Sequence, residues 1–112
     1  MSETITIKVT ADFDHWLKRL KNLQARAKVI ARIRSAEKGN FGDCKPVGDG
    51  VSEMRIHCRS GYRIYFMQNG LTVYILLVGG TKATQQQDIT RAKEIARTIK
   101  EGNYEQSDSP GF

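Results

Sequence analysis

The stretch from Glu53 to Val78 constrains this chain more than any other, because it reads as three consecutive strands with short turns between them. Met54, Ile56 and Cys58 alternate with Glu53, Arg55 and His57. Tyr62, Ile64 and Phe66 then alternate with Arg63 and Tyr65, and residues 73–78 form an apolar, β-branched run. Period-2 alternation is the pattern of a strand with one buried face. Ser60-Gly61 separates the first two runs and Asn69-Gly70, a type I′ hairpin pattern, separates the last two, so the three strands should be antiparallel neighbours.

Such a meander must bury its apolar face against other elements. Ile5, Ile7 and Val9 predict a first strand. Thr10 or Asp12 can cap the helix that follows, in which Phe13, Trp16, Leu17, Leu20 and Leu23 recur at spacings of three and four. A second helix is expected from about Ala25 to Lys38, with Val29, Ile30, Ile33 and Ala36 on its apolar side and Gly39-Asn40 as its stop. Residues 41–50 read as an irregular loop with a short strand at Cys44-Lys45. A last helix spans Gln85 to Lys100, with Ile89, Ala92, Ile95, Ala96 and Ile99 on one face, and Gly102 ends it. The order is strand, helix, helix, three antiparallel strands, helix. It predicts an α+β fold with the helices packed on one face of a mostly antiparallel sheet and the other face open.

With 112 residues, 39% of them apolar, the chain makes one domain, placed at 1–102, and needs no disulfide or structural metal. Residues 103–112 are polar and turn-rich and read as a disordered tail. Cys44 and Cys58 lack metal-ligand spacing and read as free thiols, Cys58 as a core side chain on a strand; His15 and His57 share no ligand pattern, so neither metal nor cofactor is expected. No apolar run approaches the roughly 18 residues of a membrane span. The Met1-Ser2-Glu3-Thr4 start lacks the build of a signal peptide, so a cytoplasmic location is expected. The formal charge is +6, and between positions 18 and 38 eight Lys and Arg face the single acid Glu37. That excess points to an anionic partner such as nucleic acid, although a basic run is also what a solvated helix face looks like.

The familiar enzyme motifs are missing: no Gly-rich phosphate loop, no Ser/His/Asp set, no carboxylate pair on a common strand. What remains is the alternation, which puts Arg55, His57, Arg63 and Tyr65 on one strand face, with cross-strand neighbours about 5 Å apart. Lys82 follows the strand-end glycines Gly79-Gly80 and can reach the rim. Cutting RNA through its own 2′-hydroxyl needs a proton acceptor, a proton donor for the leaving oxygen, and cations for the charge that develops on the phosphate. His57 and Tyr65 can move protons, and Arg55, Arg63 and Lys82 can bind the phosphate. Outward Arg and His can equally serve solubility, and Glu53 can hold Arg55 by an ion pair.

The segments Gly39-Asn-Phe-Gly-Asp43, Gly48-Asp-Gly-Val-Ser-Glu-Met-Arg-Ile56, Gly61-Tyr-Arg-Ile-Tyr-Phe66 and Leu76-Leu-Val-Gly-Gly80, with Lys82, Gln85 and Asp88-Ile89, resemble the phage Gp49-like, HigB-type addiction-module killer proteins. These are a branch of the RelE/ParE toxin superfamily. The resemblance covers about residues 5 to 100. It implies a RelE-like fold and the toxin of a type II toxin–antitoxin pair that cuts mRNA in the ribosomal A site. It also implies a helix-turn-helix antitoxin from the adjacent gene. By the same resemblance Ser60-Gly61-Tyr62-Arg63 makes Arg63 a phosphate ligand, and Arg55 and Lys82 fall near basic family positions. The C-terminal tyrosine that RelE-type toxins use has only Tyr104, in the tail, as its counterpart, and His57 is the substitute. ParE members inhibit DNA gyrase without cutting RNA, so a non-enzymatic gyrase inhibitor and a nucleic-acid-binding module stand as alternatives.

Overall fold

A computed structural model describes residues 4–102 and the backbone of 106–108. Its elements are β1 (Thr6–Thr10), α1 (Ala11–Arg19), α2 (Leu23–Glu37), β2 (Cys44–Gly48), β3 (Val51–Ile56), β4 (Tyr62–Gln68), β5 (Val73–Gly80), α3 (Gln85–Lys100) and β6 (Gln106–Asp108). They build one six-stranded sheet in the order β2-β3-β4-β5-β1-β6. β1 runs parallel to β5, Thr6 opposite Val73, and the other pairings are antiparallel. The expected meander is therefore present as β3-β4-β5, and the fold is mixed α and β with a mostly antiparallel sheet. No helix among the described residues is long and apolar enough to cross a membrane.

The sheet is covered on both faces, which corrects the expectation of one open face. Ile7, Val9, Met54, Ile56, Ile64, Phe66 and Leu76 pack with Phe13 and Leu17 of α1 and Val29, Ile33 and Ala36 of α2. Val51, Tyr65, Met67, Ile75, Leu77 and Val78 pack on the opposite side with Ala92, Ile95, Ala96 and Ile99 of α3. The physical reason lies in β5 and in Ile64–Met67 of β4, whose outward positions are as apolar as their inward ones. A strand that is apolar at every position is a strand buried twice.

Two turns differ from expectation. Asn69-Gly70 sits in a four-residue connection between Gln68 and Val73, and Gly70 but not Asn69 has positive φ, so it is not a type I′ turn. Asp49-Gly50, expected in an irregular loop, joins β2 to β3 with positive φ at both residues (56° and 78°), as a type I′ turn requires. β2 accordingly extends to Gly48. Leu23, assigned to the apolar side of the first helix, instead starts α2 behind the Asn22 cap and is exposed. Cys58 lies just beyond β3 and only half-buried. Residues 106–108, expected in a disordered tail, pair antiparallel with the open edge of β1; residues 103–105 and 109–112 lie outside the described residues.

A bulge in β5 orients the end of the sheet. Tyr65 pairs with Val78 but Phe66 with Leu76, so Leu77 is extra, and Leu77 and Val78 both turn toward α3. Thr10 fixes this point: its hydroxyl donates to the Leu77 carbonyl at 2.6 Å and accepts from the Phe13 amide as the α1 cap. After the bulge, Gly79 meets α1 and Gly80 meets α3. A Cβ on Gly79 would lie 2.2 Å from the Trp16 ring, and one on Gly80 1.8 Å from Asp88 Oδ2. The two glycines let one helix approach on each face.

Candidate functional site

The β3–β4 register sets Arg55 opposite Arg63 and Glu53 opposite Tyr65, all on the face that α3 covers. The first turn of α3 ends that cover, so Glu53 lies beneath helix while the two arginines lie at its border. Glu53 is fully buried. Its carboxylate accepts from Gln85 Nε2 at 2.8 Å, the Tyr65 hydroxyl at 3.0 Å and Arg55 Nε at 3.3 Å. Arg63 Nε stands 3.5 Å away, within ion-pair distance but without a hydrogen bond. Burial pushes the Glu53 carboxyl up, yet the hydrogen bonds from Gln85, Tyr65 and Arg55 and the charge of Arg63 outweigh it and hold the group below the ordinary glutamate value. One ionised carboxylate thus holds two guanidiniums by their Nε edges. Arg63 is fixed further by donation from Nη1 to the Gly61 carbonyl at 2.7 Å.

Tyr65 is not on the exposed surface expected for it. Its side chain is fully buried, its hydroxyl is spent on Glu53, and burial, then that hydrogen bond and charge, push the phenol above its ordinary value. The alternation placed it on the correct face, but α3 covers that face. Arg55, His57 and Arg63 do come together, lining with Gly61 a pocket of about 180 Å³. Lys82 stands exposed at its rim, its Cβ beside Gly61 and its amide 3.4 Å from the Ser60 carbonyl. Tyr104 lies outside the described residues.

Two further residues support the pocket. The exposed His57 places Nε2 2.8 Å from Asp43 Oδ2. Arg32 reaches from α2 to the Arg55 carbonyl and, at 2.8 Å, to the Phe41 carbonyl, which pins the loop carrying Asp43. Gly42 is required there, because a Cβ would lie 2.7 Å from the Arg32 guanidinium and φ is +64°. Arg32 is therefore turned into the structure, not out with the basic stretch it belongs to. In the sequence, Asp43 and Gln85 stand out only within the family-like segments and Arg32 only in the basic run, and none of them has an assigned role. The signal for Glu53 was its position two residues before Arg55, which gave the ion pair and not the burial.

The family model described as phage-derived protein Gp49-like (DUF891) matches residues 15–101, a span that includes β3, β4, β5 and each of these side chains. The chain belongs to the Gp49-like family. That family lies within the HigB/RelE-like toxin superfamily, which marks its members as the toxin half of a toxin–antitoxin pair and implies an antitoxin partner. An uncharacterised protein of Haemophilus influenzae is 54% identical over 97 residues, covering 86% of this chain and 97% of that relative. No solved structure matches the chain.

Proposed function

We propose that this Gp49-like chain is the toxin of a type II module and blocks translation as a metal-independent, ribosome-dependent mRNA endonuclease with a RelE-like fold. The observation that carries this reading is the pair Arg55 and Arg63, locked by one buried carboxylate beside an imidazole in a common pocket. Two guanidiniums held in advance suit a phosphate whose negative charge grows in the transition state, because little reorganisation is left to make.

In the proposed reaction His57 takes the proton of the 2′-hydroxyl, the 2′-oxygen bonds to phosphorus, and the bond from phosphorus to the 5′-oxygen breaks. Arg55 and Arg63 neutralise the phosphoryl oxygens. Lys82, at the rim, supplies the proton to the leaving 5′-oxygen, a task closed to Tyr65 by its burial. Asp43, accepting from Nε2, leaves Nδ1 of His57 as the nitrogen that receives the proton. The products are a 2′,3′-cyclic phosphate and a 5′-hydroxyl. A helix-turn-helix antitoxin from the adjacent gene would keep the site off the ribosome by covering this basic face.

The test is a map of RNA 5′ ends after brief induction in cells. In-frame breaks confined to translated messages are expected for the wild type, and Arg63→Ala should lower their yield about 10²-fold or more. Growth arrest with intact messages and gyrase-dependent DNA breaks would instead establish the inhibitor alternative.

A further inference from the structure

Beyond the Arg55–Arg63 pocket lies a second groove of about 300 Å³, lined by Asn22, Gln24, Lys28, Arg59 and Ser60, and the two share Cys58 and Tyr62 as common wall. They meet at the end of the sheet where β3 ends and β4 begins, the first on the side that α3 covers and the second toward the start of α2 on the other side. No carboxylate lines either part. The larger grooves on α3 are different, since each mixes charges: Asp49 and Glu94 stand among Lys93, Arg97 and Lys100 in one, and Asp88 and Glu94 beside Arg91 in the other.

Pairing differs only in part, since among the described residues Arg97 and Lys100 of α3 also have no carboxylate within ion-pair distance. Lys93 is within 3.8 Å of Asp49, and Arg91 is held by Asp12 and Glu94. Lys28 and Arg59 are exposed, and among the described residues neither has a carboxylate within ion-pair distance. Uncompensated cations with neighbouring amides and a hydroxyl suit a phosphodiester backbone with its sugar hydroxyls. Tyr62, held edge-on by Trp16 at 5.9 Å between ring centres, is an aromatic wall between the two parts.

We propose that Lys28, Arg59, Ser60, Asn22 and Gln24 form a second phosphate and sugar subsite, which seats the neighbouring nucleotide of a single-stranded RNA whose reacting phosphate lies at Arg55 and Arg63. The inference rests on the RNA-cutting reading and makes the substrate an extended strand that follows one path over the protein.

It is tested with the full chain and a fluorescent 2′-O-methyl oligoribonucleotide, which binds as a single strand but cannot be cut. Fluorescence anisotropy is recorded over a range of salt concentrations for the wild type, for Lys28→Ala/Arg59→Ala, and for Lys93→Ala/Arg97→Ala on α3. Lys28→Ala/Arg59→Ala should weaken binding about tenfold and lower the slope of log affinity on log salt by about 1.4, two single-strand phosphates at 0.7 each. The α3 variant should change neither. Wild-type affinity and slope in Lys28→Ala/Arg59→Ala, an equal loss in the α3 variant, or no binding by the wild type would each overturn the subsite. So would loss of antitoxin copurification with oligonucleotide binding intact, since the groove would then belong to the protein partner. Because the probe cannot be cut, intact messages in the 5′-end map beside the expected binding result would remove the nuclease reading and leave this groove standing.

Discussion

At the scale of single residues the decisive one is Glu53. An acid at an outward strand position, between Ser52 and Met54, reads as exposed, and no pattern along the chain says that Gln85, 32 positions away, will close over it. Its burial follows from register and from where α3 begins, which are tertiary facts. Arg55 and Arg63 were legible because alternation alone puts them on one face; Asp43 was not, because the β2–β3 pairing, in which its carbonyl accepts from the Arg55 amide at 2.9 Å, and the Arg32 anchor bring it to His57. Glu53→Gln keeps the volume and removes the charge, leaving two guanidiniums without their counter-ion. Breaking a buried pair by removing one partner should destabilise the fold by about 3 kcal/mol. Glu53→Gln should also cut cleavage by more than its folded fraction explains. Urea denaturation beside cleavage assays at matched folded concentration checks both, and unchanged activity per folded molecule would reduce Glu53 to a structural role.

At the scale of elements, α3 was read from Gln85 to Lys100 and is found with those bounds, because five apolar residues recur on one face and Gly102 ends it. Its side of the sheet was misread for a reason visible in β5: an unbroken apolar run carries no phase, so it cannot say that two faces are covered. The Gly79-Gly80 pair, which read only as a strand end, records the double cover. The glycines should not respond alike to alanine. At Gly79 the added methyl meets the body of the Trp16 ring, and overpacking of this kind costs about 1–3 kcal/mol. At Gly80 it meets the end of the Asp88 side chain, which can swing away at the cost of its hydrogen bond from Thr84. Gly79→Ala should therefore lower the urea midpoint more than Gly80→Ala, and the reverse order would show that α1 yields more easily than the first turn of α3.

At the scale of the whole molecule, buried Glu53 and Tyr65 join the middle of the sheet to α3, so their protonation becomes a property of global stability. The folded Glu53 carboxyl titrates below its ordinary 4.5, so its contribution is complete above that value and is lost as pH falls through the lower folded one. Asp88 works against this on the acid side: burial raises its carboxyl above the ordinary 3.8, partly opposed by the hydrogen bond from Thr84, and protonation relieves that cost as pH falls. The alkaline side is simpler. Tyr65 is held above its ordinary 10.0, first by burial and then by Glu53, so its contribution is complete below pH 10 and is lost as pH rises, when the unfolded phenol ionises and the folded one does not. The urea midpoint of the wild type should therefore fall from about pH 10 upward. Tyr65→Phe removes the hydroxyl and leaves Glu53 one donor short, a cost of about 1 kcal/mol at neutral pH. The same substitution removes the phenol that titrates, so the decline above pH 10 should become shallower and the two curves should converge there. Parallel curves from pH 7 to 11 would mean that the alkaline loss arises elsewhere and that the Tyr65–Glu53 bond does not couple to global unfolding.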